Sequence, residues 1–377
     1  MNKTRVLVVE DSLTVRRRLC DVLAGDTEIE LVGEAEDGRT AIELCRRLRP
    51  DVVTMDMILP VMSGLAATEY IMAHFPTPIL IVSSSFNRGE MFKTYDALAA
   101  GALDVLEKPN GTESDGAWER NFLSRIKLIA RIRVITHPRQ RLAELSHHGL
   151  HSQSLDFSNA VPIPAAQRTP APLLDMPAGT AARQLSVLAI GASTGGPAAV
   201  VDVLHGLPAT APWPILLVLH INEPFGAAFA EWLDTQSSRR VAYPREGDAV
   251  IAGAGRVVMA PPGQHLLVRG GRLHLTHDPE RHSCRPSVDV LFESVAREYG
   301  RTAGAVLLTG MGRDGAAGLL DIRRAGGLTI AQDEATSVVY GMPREAVALG
   351  AAAHVLPVKD IGPRLGILAG LRLENRA

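Results

Sequence analysis

The chain is poor in cysteine, in aromatic residues and in net charge, and it has no long apolar run. Its three cysteines, Cys20, Cys45 and Cys284, form an odd set without metal-ligand spacing, which argues against a disulfide framework and suits a reducing compartment. Each reads as a small buried hydrophobe. A formal net charge of −2 gives no general attraction to nucleic acid or to an anionic membrane. The apolar run Val6 to Val9 meets Glu10 and Asp11 at once, so no signal-peptide core develops, and no run reaches the roughly 20 apolar residues of a membrane span. The expectation is a cytoplasmic protein with no nucleic-acid partner and no direct membrane insertion.

What the chain does have is apolar residues in short, punctuated runs. With 377 residues and 46% hydrophobic content it can bury two cores. In the first part, runs at Val6 to Val9, Leu31 to Ala35, Val52 to Met55, Ile79 to Val82 and Leu103 to Leu106 alternate with segments of helical period, the pattern of a parallel sheet covered by helices. Thr14 to Leu23 puts Val15, Leu19, Val22 and Leu23 on one face, and a last helix is expected from Ala117 to Arg133. A second α/β series begins at Leu185, with strands at Val187 to Ile190, Ile215 to Leu219, Val257 to Ala260, Ala305 to Leu308 and Leu328 to Ala331. The turn Arg269-Gly270-Gly271-Arg272 predicts a β-hairpin insert over Leu266 to Leu275. Between the two series, Pro162, Pro164, Pro170, Pro172 and Pro177 mark a semi-extended tether. His147, His148 and His151 precede it; the i,i+4 pair His147 and His151 could hold a metal on a helix, but a solvated linker is favoured over a metal site. The division is therefore 1–133, a linker 134–184, and 185–377.

Open parallel sheets bind ligands at the carboxyl ends of their strands. In the first series those ends carry Glu10, Asp11, Asp56, Ser83 and Lys108. Clustered carboxylates repel unless a divalent cation joins them, and Mg²⁺ keeps positions open for phosphate. Asp56 could then accept a phosphoryl group, with Ser83 and Lys108 contacting its oxygens. A single strand-end Asp is more often a cap or a solvated loop residue; five matched positions favour the site.

In the second series Ser193 sits in Gly191-Ala192-Ser193-Thr194-Gly195-Gly196-Pro197, where an apolar strand turns into a helix. Free N–H groups at a helix start favour developing negative charge, so the turn suits a nucleophile. It lacks the lysine of a P-loop. A serine hydroxyl needs a base and a group to orient that base. His220 follows Ile215 to Leu219, and Asp314 follows another apolar strand, so parallel strands would gather all three at one sheet edge. The duller readings are a Ser193 cap, a satisfied strand-end histidine, and Asp314 as N-cap of the helix through Leu319 and Leu320; the glycines around Ser193 and Asp314 exceed what a cap requires.

The first segment resembles a response-regulator receiver domain on Val8-Val9-Glu10-Asp11, Met55-Asp56-Met57-Ile58-Leu59-Pro60, Val82-Ser83-Ser84 and Glu107-Lys108-Pro109. The resemblance implies a doubly wound, flavodoxin-like fold, Asp56 as phosphoacceptor, and Mg²⁺ held by Glu10, Asp11 and Asp56. It further implies Ser83 and Lys108 as switch residues and a Lys108–Pro109 bond able to be cis. Val105 departs from the aromatic switch residue of many receivers, and Ile58 from the polar residue common at its position. From Leu185 onward the chain resembles the catalytic domain of chemotaxis protein-glutamate methylesterases, which also act as glutamine deamidases. Beyond the Ser193 turn, the likeness rests on His220-Ile221, Ala260-Pro261-Pro262-Gly263-Gln264-His265, Arg285-Pro286-Ser287-Val288-Asp289, Thr309-Gly310-Met311-Gly312-Arg313-Asp314-Gly315 and Gly341-Met342-Pro343-Arg344.

That second resemblance implies a doubly wound, mostly parallel hydrolytic domain with Ser193, His220 and Asp314 as its catalytic set, a Met311 N–H for the oxyanion, and Thr194 positioning His220. It implies no cofactor for ester hydrolysis. His220-Ile221-Asn222 departs from the His-Met sequence frequent in the family. Cys284 and His282 make an imaginable nucleophile pair to which the family gives no role, and His265, His274 and His277 read as surface or groove residues. The implied partners are methylated chemoreceptor cytoplasmic helices and a histidine kinase phosphodonor. A phosphorylation-gated binding module without catalysis is the alternative; a transcriptional regulator would need a helix-turn-helix, which the α/β pattern argues against.

Overall fold

Five strands make the first sheet of the computed structural model, which describes residues 3–84, 88–109, 116–132, 134, 184–221, 224–250 and 255–371. They are β1 (Thr4–Val9), β2 (Ile29–Ala35), β3 (Val52–Met55), β4 (Ile79–Ser83) and β5 (Asp104–Glu107), in the order β2-β1-β3-β4-β5 and parallel throughout. The order reverses between β1 and β3, so the carboxyl ends of these two strands open the crevice in which a flavodoxin-like sheet binds its ligand. Helices α1 (Leu13–Ala24), α2 (Gly38–Leu48), α3 (Gly64–His74), α4 (Arg88–Ala99) and α5 (Ala117–Ile129) accompany the sheet. Asp37 starts α2 by accepting hydrogen bonds from the amides of Arg39 and Thr40.

The second sheet is larger. It holds β6 (Val187–Ala192), β7 (Ile215–Leu219), β8 (Val241–Ala242), β9 (Val257–Met259), β12 (Ala303–Leu307), β13 (Leu328–Gln332) and β14 (His354–Leu356), in the order β14-β13-β12-β6-β7-β9-β8. Every pairing is parallel. The four central strands β13, β12, β6 and β7 are buried at every residue, which is why they read as largely apolar runs. Helices α6 (Gly196–Gly206), α7 (Phe229–Gln236), α8 (Val288–Tyr299), α9 (Ala316–Arg324), α10 (Met342–Ala348) and α11 (Val358–Leu368) pack about it. The expected hairpin forms from β10 (His265–Arg269) and β11 (Arg272–Thr276).

The two sheets meet through α4, which packs against α6 and α7. Tyr95 lies in contact with the rings of Phe229 and Trp232, at centroid distances of 5.2 and 5.8 Å, and its hydroxyl donates to the Phe225 carbonyl. Trp232 Nε1 donates to Asp96 Oδ1 at 2.7 Å, and an Arg88–Glu231 ion pair closes the rim.

Three expectations change. Helix α5 ends at Ile129, before Arg133. Among the described residues the one cis peptide bond is Arg285–Pro286, so the Lys108–Pro109 bond is trans. Only Cys45 of the three cysteines is buried; Cys20 and Cys284 are partly exposed. His147, His148, His151 and the prolines of the expected linker lie outside the described residues, as does Asn222. No helix among the described residues is long and apolar enough to cross a membrane.

Candidate active site and phosphorylation pocket

The strand ends of the first sheet bring Glu10, Asp11 and Asp56 together, with carboxylate oxygens within 4.8 Å of one another. Glu10 and Asp56 are buried, at 0% and 4% exposure, while Asp11 is exposed to solvent. Lys108 Nζ reaches both buried carboxylates, 2.9 Å from Glu10 Oε2 and 2.9 Å from Asp56 Oδ2. One ammonium cannot neutralise this much negative charge. Burial and the charge of Asp56 push Glu10 up to about 7, and burial raises Asp56 above the usual carboxylate range. A cluster of hard oxygen donors with surplus negative charge fits a small divalent cation, and receiver domains as a family use Mg²⁺ for phosphorylation. Ser83 is buried at the end of β4, its hydroxyl 3.4 Å from the Ser84 carbonyl. Val105 is buried and Ile58 is 46% exposed.

In the second sheet the register brings the catalytic candidates together. Ala192 pairs with Leu219, so Ser193 and His220 leave neighbouring parallel strands at the same level, and the His220 amide donates to the Ala192 carbonyl at 3.0 Å. Beyond Ser193 the chain turns at Gly195, which adopts φ 76° as the N-cap of α6, a left-handed value that glycine adopts freely. On the other side the Ser193 amide donates to the Thr309 carbonyl at 3.0 Å. A Cβ on Gly310 would lie 2.7 Å from Ser193 Cβ, so the turn after β12 packs directly on the serine.

Asp314 is 2% exposed and saturated with donors. His220 Nε2 lies 2.9 Å from its Oδ2, the Ser287 hydroxyl donates to Oδ1 at 2.7 Å, and the amides of Val288 and Asp289 donate at 2.7 and 3.0 Å. These two amides open α8, so Asp314 lies on the positive end of that helix. Burial works to raise the Asp314 carboxyl, but the hydrogen bond and charge of His220, with the Asp289 and Ser287 donors, hold it below its ordinary value. Burial likewise works to lower the His220 imidazole; its hydrogen bonds to Asp314 and Cys284 outweigh this and raise it to about 9. With Nε2 taken by Asp314, the nitrogen left to work on a hydroxyl is Nδ1. Among the described residues no hydrogen bond joins Ser193 Oγ to His220, so base and nucleophile stand as neighbours in register rather than as a closed pair.

A cleft of about 740 Å³ opens beside this cluster, bordered by Cys284, Met311, Arg313, Asp314, Tyr340 and Arg344 among others. Met311 lies on the wall of this cleft. Thr194 contributes through its backbone: its carbonyl accepts from Thr309 Oγ1 at 3.0 Å. The reading of Asp314 as cap of α9 gives way, since Gly315 precedes that helix without a side-chain cap and Asp314 turns to α8. His265 is buried rather than a surface or groove residue, its Nδ1 accepting from the Ser287 amide at 3.1 Å. Sequence reasoning missed Ser287, which stood in the Arg285 to Asp289 motif with no role of its own, and the approach of Cys284 Sγ to His220 Nδ1 at 3.7 Å.

Fold and pockets together define a class: a two-domain response regulator whose output domain is an α/β hydrolase. Family models agree in both halves. Residues 6–114 match the response regulator receiver domain and residues 188–365 match the CheB methylesterase. A protein-glutamate methylesterase/protein-glutamine glutaminase of Anaeromyxobacter dehalogenans is 44% identical, over 95% of this chain and 94% of that protein. One from Nitrosospira multiformis is 40% identical over 98% of each. Among solved structures, the Thermotoga maritima CheB methylesterase catalytic domain aligns at 34% identity and TM-score 0.46, covering 49% of this chain and 99% of that one. The chain belongs to the CheB-type protein-glutamate methylesterase/protein-glutamine glutaminase family, a family of receiver-regulated hydrolases.

Proposed function

We propose that this protein removes γ-methyl groups from methylated glutamates on the cytoplasmic helices of chemoreceptors, and deamidates receptor glutamines, with Ser193, His220 and Asp314 as the catalytic residues. Ser193 Oγ attacks the side-chain carbonyl while His220 Nδ1 takes its proton. Asp314 holds the ring and balances the imidazolium that forms. The Met311 N–H meets the developing oxyanion, a donor of the kind that contributes about 3 kcal/mol, and Thr194 steadies the turn that carries the serine. The imidazolium then gives its proton to departing methanol, or to ammonia in deamidation; water, deprotonated by His220, attacks the acyl-enzyme carbonyl, and the proton returns to Ser193 Oγ as the glutamate carboxylate leaves. The observation that carries this reading is the convergence on Asp314 of His220 Nε2 and three other donors, at 2.7 to 3.0 Å. A merely structural strand-end aspartate has no need of an imidazole.

Activity is gated from the receiver, with residues 1–133 as the regulatory domain, 134–184 as the tether and 185–377 as the catalytic domain. Asp56 accepts a phosphoryl group from a histidine kinase, Glu10, Asp11 and Asp56 would hold Mg²⁺, and Lys108 and Ser83 contact the new oxygens. Bound there, Mg²⁺ would neutralise the crowded carboxylates and phosphoryl oxygens. Ala99 at the end of α4 borders the same small cavity as Gly195 and Ala198, about 110 Å³ in volume, so the receiver lies against the helix that starts at the serine turn. Loosening that contact opens the approach to Ser193.

The test is methanol release from methylated receptor, with and without a small-molecule phosphodonor. Ser193→Ala is expected to abolish release, and Asp56→Ala to keep basal hydrolysis while losing the phosphodonor response. Normal release by the serine variant would refute the assignment.

A further inference from the structure

Cys284 lies on the wall of the cleft, partly exposed, and the ester hydrolysis proposed above makes no use of it. Its Sγ is 3.7 Å from His220 Nδ1, the ring nitrogen that does not face Asp314, and 3.4 Å from the His282 carbonyl. We propose that Cys284 Sγ and His220 Nδ1 form an inhibitory binding site for a thiophilic divalent cation, zinc being the ion that fits best.

The separation suits such an ion. Zinc–sulfur and zinc–nitrogen bonds of about 2.3 and 2.0 Å, opened to a tetrahedral angle, put the two donors about 3.5 Å apart. The remainder of the histidine is already dressed for ligation: a metal-bound imidazole ordinarily gives its other N–H to a carboxylate, which fixes the ring and makes the ligating nitrogen more basic. His220 Nε2 and Asp314 Oδ2, 2.9 Å apart, supply that arrangement. His220, Cys284 and Asp314 each offer a donor atom within 4.8 Å of the others. The neighbouring cleft leaves room for water in the remaining coordination positions. A soft thiolate with an imidazole selects zinc-like ions over Mg²⁺, which keeps this site chemically apart from the all-oxygen pocket of the receiver.

Binding follows a simple balance. The Cys284 thiol and the Nδ1–H of the imidazolium each lose a proton to solvent, and the thiolate and the freed Nδ1 lone pair then bind the metal. That lone pair is the one that would take the Ser193 proton. A bound cation therefore blocks the base reversibly, without touching the serine.

Metal-free full-length protein titrated with Co²⁺ is expected to develop a thiolate-to-cobalt charge-transfer absorption with one equivalent bound. The absorption should persist in Ser193→Ala and vanish in Cys284→Ser and His220→Gln; Cys20 and Cys45 are common to all four proteins and so cannot account for the difference. In methanol release, Zn²⁺ should inhibit, and Cys284→Ser, measured against its own metal-free rate, should need about tenfold more zinc or higher for half-inhibition. An absorption of equal strength in wild type and Cys284→Ser, or its absence from wild type, overturns the site. The inhibition arm rests on His220 being the base, whereas the cobalt arm does not. A cobalt band without zinc inhibition would overturn the inhibitory role and count against that base assignment, while loss of the band alone would leave the ester-hydrolysis reading standing.

Discussion

Asp314 shows how much a single buried carboxylate can be asked to do. It is hydrogen-bonded to His220, whose imidazolium it would balance in the proposed mechanism, and it ties the turn after β12 to the start of α8 through Ser287 and two amides. Replacing it by Asn keeps the shape but offers the ring an amide, and kcat should fall by about 10⁴-fold. Ser287→Ala removes one of four donors and should cost only about tenfold. Steady-state methanol release on the two variants checks the ranking. The raised His220 value sets the pH behaviour. The base must be neutral to act, so kcat/KM should climb with pH through a midpoint near 9 and level off above it, and Asp314→Asn should bring that midpoint down. As an ion pair, His220 and Asp314 stabilise the fold fully below the unfolded imidazole value of about 6.5, and this contribution fades as pH rises through about 9. As candidates, Ser193 and His220 were legible in the sequence because each directly follows an apolar run, and Asp314 because it lies in the Gly-rich turn after one. Ser287 and His265 were not: the bonds that tie them to each other and to Asp314 span 22 and 27 residues, and neither follows an apolar run.

The elements were legible where burial writes them into the sequence. The fully buried interior strands read as largely apolar runs and fall within a residue or two of expectation. The edges were not: β8 has two residues and the three of β14 are only partly buried or exposed, so neither carries an apolar run to recognise. The turn between β12 and α9 is where an element constrains the site most directly. A methyl group on Gly310 would stand 2.3 Å from Met342 Sδ and 2.7 Å from Ser193 Cβ. The sulfur can swing aside, but the serine can yield only by moving its own turn. Gly310→Ala should therefore destabilise the catalytic domain by about 1–3 kcal/mol and lower kcat by about 100-fold through misplacement of the nucleophile. Thermal denaturation followed beside methanol release separates the two effects, and a folded variant of undiminished rate would show that the serine turn is not held from that side.

At the level of the whole molecule, no motif in the sequence foretells the contact between receiver and catalytic domain. Nothing in composition or periodicity joins Tyr95 to Phe225 or Asp96 to Trp232, because each pair is at least 130 residues apart and each residue is explicable within its own helix. Folded, they make the contact both apolar and directional: Tyr95 packs on Phe229 and Trp232, and the Trp232 N–H fixes the register of α4 against α7 through Asp96. A part-buried hydrogen bond of this kind contributes about 1 kcal/mol net, and the loss of that much shifts a docked–undocked equilibrium by about fivefold. If docking restrains the enzyme, Asp96→Ala should raise basal methanol release by up to that factor and shrink the further stimulation by phosphodonor in proportion, because both act on one equilibrium. Asp96→Asn keeps an oxygen acceptor for the indole N–H and should behave as wild type. A basal rate unchanged in Asp96→Ala would mean that the α4–α7 contact is not what restrains the enzyme. An equal rise in Asp96→Asn would instead trace the effect to the lost carboxylate charge rather than to the Trp232 hydrogen bond.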